Sequence, residues 1–431
     1  MKKVALISLG CAKNLVDSEN ILGLLLENHY QVTSDKNDAE LLIINTCGFI
    51  EESKRESIEV ILDHINGKSK VVVTGCLVNR YLDELKKEIP EVDLWIPLRD
   101  YPRFNALLRS LEEQIDNDEG INEKYRLVST GPYSAYLKIG EGCSNRCSYC
   151  AIPLIRGPYV SRPYQNIIEE ANGLVKQGYK ELILIQQDTT RYGIDLKKGQ
   201  TIVELLKGLL ENKSLEFIRL LYLYPDEISD KLIDLIAKEE RIMPYFDIPI
   251  QHSEDQILKA MNRRGNKEFL INLFRKIREK IPHAILRTTI IVGFPGETSK
   301  DFNNLLKFVE SIKFDHLGAF KYSKEEDTPA FNYPHQVREA TKERRLNALM
   351  TLQQNISYEQ NKKHVGEIMK GLVIGQENGY YLLRSYFNSP DDVDGKILFN
   401  SIRPLNEGEI VRVVIKESYV YDLYGELVND D

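Results

Sequence analysis

The chain has 431 residues, 42% hydrophobic and 28% charged, with a formal net charge of −8. That length predicts two to four domains with sizeable cores, and the negative balance excludes a non-specific grip on nucleic acid over the whole surface while leaving room for a local basic groove. No apolar run reaches the ~18 residues of a membrane span, and the run from Val4 to Leu9 is shorter than the ~7–15 residues of a signal-peptide core. A cytoplasmic protein is therefore expected, in which the six cysteines serve metal binding or catalysis rather than disulfides.

Residues 1–115 alternate short apolar runs, "KVALISLG", "AELLIIN", "KVVVTG" and "VDLWIP", with segments such as "DSENILGLLLENHY" and "EESKRESIEVILDHI". In those segments the apolar residues recur near i, i+3, i+4. The alternation predicts an α/β domain on a parallel sheet. Cys11 follows "ISLG", Cys47 follows "LIINT" and Cys76 follows "VVVTG", each just past a predicted strand end. Strand C-termini line one edge of such a sheet, where ligands bind, so the three thiols are expected to converge.

The charged stretch "LEEQIDNDEGINEKYRLVSTGP" reads as a linker. Residues 129–360 carry six candidate strands, "SAYLKIGEG", "ELILIQQD", "FIRLLYLYP", "YFDIPIQ", "ILRTTIIVGF" and "HLGAFKYS". Helical segments separate them, among them "NIIEEANGLVKQG" and "DQILKAMNRRGNKEFLINLFRKIREKI". Six βα units predict a partial (βα)6 barrel whose active site lies at the strand C-termini. "CSNRCSYC", with Cys143, Cys147 and Cys150, follows the first of these strands. Residues 363–431 switch to short strands and turns, the pattern of a small antiparallel, OB-like β-barrel.

A structural zinc site closes a four-ligand tetrahedron, often from two CxxC pairs. Two sets of three cysteines, with every histidine distant in sequence, match iron–sulfur clusters better. A cubane held by three thiolates keeps one iron open. A metal-bearing RNA-binding module without enzymatic activity is the other reading that spacing allows. On the same barrel face, "IQQDTTRYG" offers Gln186, Gln187 and Asp188, "FDIPIQH" offers Gln251 and His252, and "IIVGFPGET" offers Gly293 and Gly296, where backbone can approach a ligand closely. Each has a plainer reading: Asp188 or Thr189 as a cap, His252 as a structural histidine, Thr298 and Asp301 as a capping box.

CxxxCxxC, with Tyr149 just before the last cysteine, resembles the signature of radical S-adenosylmethionine enzymes. The resemblance implies an open iron that chelates the methionine amino and carboxylate groups, and a 5′-deoxyadenosyl radical that abstracts hydrogen from an unactivated C–H bond. "SLGCAKNLVDSE", "NTCGFIEESKRES", "GCSNRCSYCAIPLIRGPYVSRP", "IVGFPGET" and "RSYFNSPDDVDG" extend the likeness over the whole chain. Together they resemble the methylthiotransferases, with a three-cysteine N-terminal domain over 1–115, a radical S-adenosylmethionine core over 129–360 and a TRAM domain over 363–431. They are most similar to the branch that adds a methylthio group to the β-carbon of an aspartate in a small-subunit ribosomal protein. The tRNA-adenosine branch typically reads "GCQMN" where this chain has "GCAKN", and Ala12 stands where the ribosomal-protein branch more often has proline. Methylthiolation of a tRNA adenosine stays as the alternative.

The resemblance implies two 4Fe-4S clusters, one on Cys11, Cys47 and Cys76 and one on Cys143, Cys147 and Cys150. It implies S-adenosyl-L-methionine near Tyr149, Gln187, Asp188, Gly293 and Gly296, no catalytic residue beyond the cluster ligands, and an electron donor such as flavodoxin or ferredoxin; the sulfur donor is left open. Charge adds to this. From Val365 to Asp431 six Lys and Arg face twelve Asp and Glu, a net of −6. Holding phosphates requires cations, so this barrel suits a basic ribosomal protein better than tRNA. Asp391, Asp392 and Asp394, in the loop beside Arg384, are the candidate docking residues.

Overall fold

The apolar runs of the first hundred residues become strands that helices cover on both faces. In the computed structural model, which describes residues 1–112, 115, 117–197, 199–390 and 393–428, β1 (Lys3–Ser8), β2 (Gln31–Val32), β3 (Leu41–Thr46), β4 (Lys70–Gly75) and β5 (Leu94–Pro97) form one parallel sheet in the order β2-β1-β3-β4-β5. Every residue of β3 is buried, as expected of a strand covered on both faces. The connections are α1 (Ala12–Glu27), α2 (Glu51–His64), α3 (Cys76–Glu88) and the short α4 (Phe104–Leu108).

The middle region runs β6 (Ser134–Lys138), β7 (Gly140–Glu141), α5 (Ile152–Arg156), β8 (Val160–Ser161), α6 (Tyr164–Lys176), β9 (Glu181–Ile185), α7 (Ile202–Leu210), β10 (Phe217–Leu220), α8 (Asp230–Lys238), β11 (Tyr245–Asp247), α9 (Asp255–Ala260), α10 (Lys267–Lys280), β12 (Ile285–Val292), α11 (Ser299–Ile312), β13 (His316–Lys321) and α12 (Glu339–Asn361). The triplets β6-β9-β10 and β11-β12-β13 are parallel throughout. A parallel bridge from Ile218 to Ile242 joins them. The six expected strands thus form one arc in chain order. The antiparallel ribbon β7–β8 closes the base of the cysteine loop.

Two expectations need correction. The long helical segment after β11 is two helices, because Asn262 and Gly265 turn at φ 55° and 90° and the Asn266 side chain caps α10 by accepting from the Phe269 N–H at 2.8 Å. The charged linker is not loose. Ile115 is buried in the core of the first domain, with Tyr125 packed against it. Arg126 donates to Glu19 of α1 at 2.6 Å and to Glu170 of α6 at 2.7 Å.

The C-terminal region is a closed five-strand barrel, β14 (Ile368–Glu377), β15 (Tyr380–Arg384), β16 (Ile397–Asn400), β17 (Ile410–Ser418) and β18 (Leu423–Leu427), in the order β14-β15-β16-β18-β17. Its pairings are antiparallel except β16–β18, which is parallel. It seals the end of the large barrel where the strands begin. Arg219 donates to the Ser385 carbonyl at 2.7 Å, His316 Nε2 to the Phe387 carbonyl at 2.8 Å, and Arg287 to Asp394 at 3.3 Å.

This seam overturns part of the docking expectation. The Asp394 side chain is 2% exposed and also accepts from the Tyr245 hydroxyl and the Ser389 N–H. Arg384 pairs with Glu181 at 3.4 Å. Both are spent inside the molecule, because the loop after β15 plugs the barrel rather than projecting from it. Asp391 and Asp392 lie outside the described residues. Among the described residues no helix is long and apolar enough to cross a membrane.

Candidate metal centres

The N-terminal thiols lie at the ends of neighbouring strands, within electrostatic range of one another. Cys11 precedes α1, Cys47 follows β3 and Cys76 opens α3. Gly10, at φ 88°, lets the backbone pass Cys47; a Cβ there would stand 2.8 Å from Cys47 Cβ. Gly75, at φ 100°, does the same beside Thr46, 2.4 Å from its carbonyl oxygen. Burial pushes the Cys47 thiol up and Cys76 up to about 12, with the neighbouring Cys11 adding to both. For Cys11 burial is outweighed by Lys13, Arg156 and the first N–H groups of α1, which leave it below the ordinary thiol range. A thiol held as high as Cys76 ligates only where metal displaces its proton.

The barrel triplet is wound tightly. The Cys150 N–H donates to the Cys147 carbonyl at 3.1 Å, and Arg146 between Cys143 and Cys147 turns at φ 52°. The Ser148 hydroxyl donates to the Ala260 carbonyl at 2.8 Å, tying the loop to the end of α9. Cys147 is buried beside the Tyr224 hydroxyl at 3.7 Å and the Arg263 guanidinium at 3.9 Å. Arg263 stacks on the Tyr224 ring at 4.0 Å and reaches the Tyr149 hydroxyl at 3.4 Å. Burial raises Cys143, and raises Cys150 well above the ordinary range; the neighbouring Cys147 adds to both.

Two more predicted site residues join this loop. Asp188 accepts from Asn145 Nδ2 at 2.7 Å and from the Thr190 hydroxyl at 2.6 Å, so it braces the cysteine loop rather than only capping a turn. Gln187 donates to Glu141 at 3.3 Å, and its buried Oε1 finds no partner among the described residues. The glycine pair is less engaged. The Gly293 N–H is taken by the Glu297 carboxylate, and Gly296 is exposed, with open space for 4 Å around the point where a Cβ would stand. The Thr298–Asp301 capping box forms. His252 is fully buried, with Nδ1 accepting from the Glu254 N–H at 3.0 Å.

Sequence reading missed the groups between the triplets. Cys76 packs with Ala151 and Ile155, on the helix that directly follows Cys150. Arg156 donates to Asn14, to Asp17 at 3.0 Å and to Glu141 at 2.9 Å; Lys138 pairs with Asp17 at 2.6 Å; and the Cys76 thiol reaches Asn14 Oδ1 at 3.4 Å. These polar residues sit within otherwise ordinary helix and strand patterns, and only the docking of one domain on the other pairs them.

Three family models match three segments: residues 3–97 the uncharacterized protein family UPF0004, residues 137–309 the radical SAM superfamily and residues 365–428 the TRAM domain. The ribosomal protein uS12 methylthiotransferase RimO of Alkaliphilus oremlandii is 46% identical over 99% of both chains. Its counterpart in Acetivibrio thermocellus is 45% identical over 100% of this chain and 99% of its own. The chain belongs to the RimO family. The RimO of Clostridioides difficile is 46% identical over 99% of each chain. In fold, this RimO-family chain is similar to the radical S-adenosylmethionine methyltransferase TsrM from Kitasatospora setae, at 15% identity and a TM-score of 0.56 over 89% of this chain and 81% of that one. It is similar also to the cobalamin-dependent enzyme OxsB, at 12% identity and a TM-score of 0.52 over 83% and 56%.

The residues fit the two 4Fe-4S clusters that the RimO family implies. The donors are six thiols in two sets of three, the chemistry such clusters take. Among the described residues no three His, Cys, Asp or Glu side chains gather around one mononuclear ion. Within each set the thiols lie within electrostatic range of one another.

Proposed function

We propose that this chain is a cytoplasmic radical S-adenosylmethionine methylthiotransferase that modifies an aspartate of ribosomal protein uS12. The observation that carries the reading is the shared wall between the two thiol sets: Cys76 lies against the helix that follows Cys150. Chemistry begun at one set has a short path to the other. The ribosomal protein for which the relatives are named, uS12, supplies the substrate.

In this reading Cys143, Cys147 and Cys150 hold one cluster, Cys11, Cys47 and Cys76 the other, and the domains divide as 1–115, 129–360 and 363–431. When bound, the clusters supply the electron that cleaves S-adenosylmethionine and the site that carries sulfur. The chain's own residues hold the two sets in place. Asp188 and Asn145 fix the cysteine loop, Arg263 places a buried positive charge beside Cys147, and Arg156 with Lys138 locks the N-terminal domain onto the barrel through Asp17. Tyr149, Gln187 and Asp188 border the S-adenosylmethionine position, and flavodoxin or ferredoxin delivers electrons. An anaerobic assay offering uS12 and tRNA side by side, read by mass spectrometry, tests this. Methylthiolated aspartate in uS12 is the expected product, and a methylthiolated nucleoside alone would overturn the substrate.

A further inference from the structure

Lys13 is a buried cation that no carboxylate pairs, beside the Cys11 thiol two residues earlier. It lies in the first turn of α1, two residues past Cys11, and is 7% exposed. Among the described residues its ammonium has no hydrogen bond or ion pair; its contact is the face of the Tyr222 ring, 3.8 Å from the centroid. Burying an ammonium without a paired anion is costly, and a positive charge in the first turn of a helix also opposes the helix dipole. The nearby Lys138 and Arg156 are both paired, sharing Asp17 and Glu141. Carboxylates were available in this seam, and none turns to Lys13.

Its position says what the charge is for. Tyr222 follows β10 at the open end of the large barrel, held at φ 61° by Asp247, which accepts from its N–H at 3.0 Å. The Tyr222 carbonyl accepts from the Thr189 N–H at 3.1 Å. Thr189 adjoins Asp188, which is bonded to Asn145 inside the barrel's cysteine loop. On the other side, Ala12 and Val16 share a core with Tyr136, Ile185 and Leu221. Lys13 therefore stands over the barrel mouth, between the two thiol sets.

We propose that Lys13 binds the carboxylate of the aspartate to be modified, an inference that rests on the uS12 reading above. An ammonium is a compact charge with three donors. The Tyr222 ring occupies one side of it, and no carboxylate among the described residues takes its donors. The β-carbon is bonded directly to the carboxyl carbon, so anchoring the carboxylate holds the reacting C–H in the space between the thiol sets.

The test is equilibrium binding of uS12 to the anaerobically reconstituted enzyme and to Lys13→Met, which keeps the length of the side chain without its charge. Each is measured with native uS12 and with uS12 whose modified aspartate, located by mass spectrometry of the wild-type product, is replaced by asparagine. Wild-type enzyme is expected to prefer the aspartate form by roughly thirtyfold or more, the loss typical of breaking a buried charge pair. Lys13→Met is expected to bind both forms alike, at wild-type iron content, and Lys13→Arg to restore part of the preference. Wild type that modifies uS12 while Lys13→Met keeps the full preference overturns the role of Lys13 alone. So does a Lys13→Met effect confined to the reduction potential of the N-terminal cluster, which would assign the charge to Cys11. Wild type that leaves uS12 unmodified overturns the substrate reading and the role of Lys13 together.

Discussion

Asp394, from the loop after β15, accepts from Arg287 of β12 at 3.3 Å and so carries charge across the seam between the small barrel and the large one. Arg287 is shared with Asp247 at 2.9 Å, and Asp394 is further held by Tyr245. Replacing Asp394 with Ala leaves a half-buried guanidinium with Asp247 alone and the buried Tyr245 phenol without this acceptor. The expected loss is about 3–5 kcal/mol, measured by denaturant unfolding. A variant as stable as wild type would return Asp394 to the surface and to the docking role this seam denies it.

Iron content tests the pairing of the thiols. Two cubanes predict about eight irons per chain after anaerobic reconstitution. Replacing Cys143, Cys147 and Cys150 with Ala should leave about half. A wild-type content near four, with zinc making up the balance, would remove the two-cluster arrangement.

The roles of the two sets separate by product. Alanine at Cys11, Cys47 and Cys76 should preserve reductive formation of 5′-deoxyadenosine, because Asp188, Asn145 and Arg263 brace only the barrel loop. Methylthiolated uS12 should disappear. Loss of 5′-deoxyadenosine in this variant, with its fold verified by circular dichroism, would contradict the assignment.

His252 sets a pH dependence of stability. Burial pushes its imidazole down to about 3, below the ordinary value near 6.5. Above pH 6.5 neither folded nor unfolded chain binds this proton. Below it the unfolded chain does and the folded one does not, so stability falls as pH drops from 6.5 towards 3. Glu297, pushed up to about 7 by burial, works in the opposite direction and lies 4.0 Å from His252, so Glu297→Gln is made in both the His252 and the His252→Asn backgrounds. Between pH 7 and 5 the melting temperature with His252 should therefore fall more than that with His252→Asn, whose amide oxygen can still accept from Glu254. Parallel curves would show that His252 protonates freely in the fold.

Strand ends were the legible part of this protein, since period and flanking turns locate them and thereby gather Cys11, Cys47 and Cys76. The break between α9 and α10 was missed, although the Gly265–Asn266 step, a helix stop followed by a cap, carries its signal. β18 was hidden by Gly425, which reads as a turn residue; in the barrel it is required because a Cβ there would meet Val413 Cγ1 at 2.5 Å. Lys13, Asn14, Asp17 and Arg156 gave no signal, because a polar residue in a helix is ordinarily a solvated one. Asp394 misled for the same reason: an acidic, turn-rich loop reads as surface until its partner, a strand more than a hundred residues earlier, is known.

The ion pairs that cross the seams limit how such a chain can be rebuilt. Arg126 belongs to neither domain yet satisfies Glu19 in one and Glu170 in the other, and Glu181 is neutralised jointly by Arg219 of its own barrel and Arg384 of the next. A chimera that exchanged the C-terminal barrel for a foreign one would strand Glu181 with half its counter-charge and Arg287 without Asp394. Each matching family model marks a segment of sequence, but no cut between them is electrically neutral. Single substitutions leave these shared pairs in place, whereas exchanging whole modules breaks them.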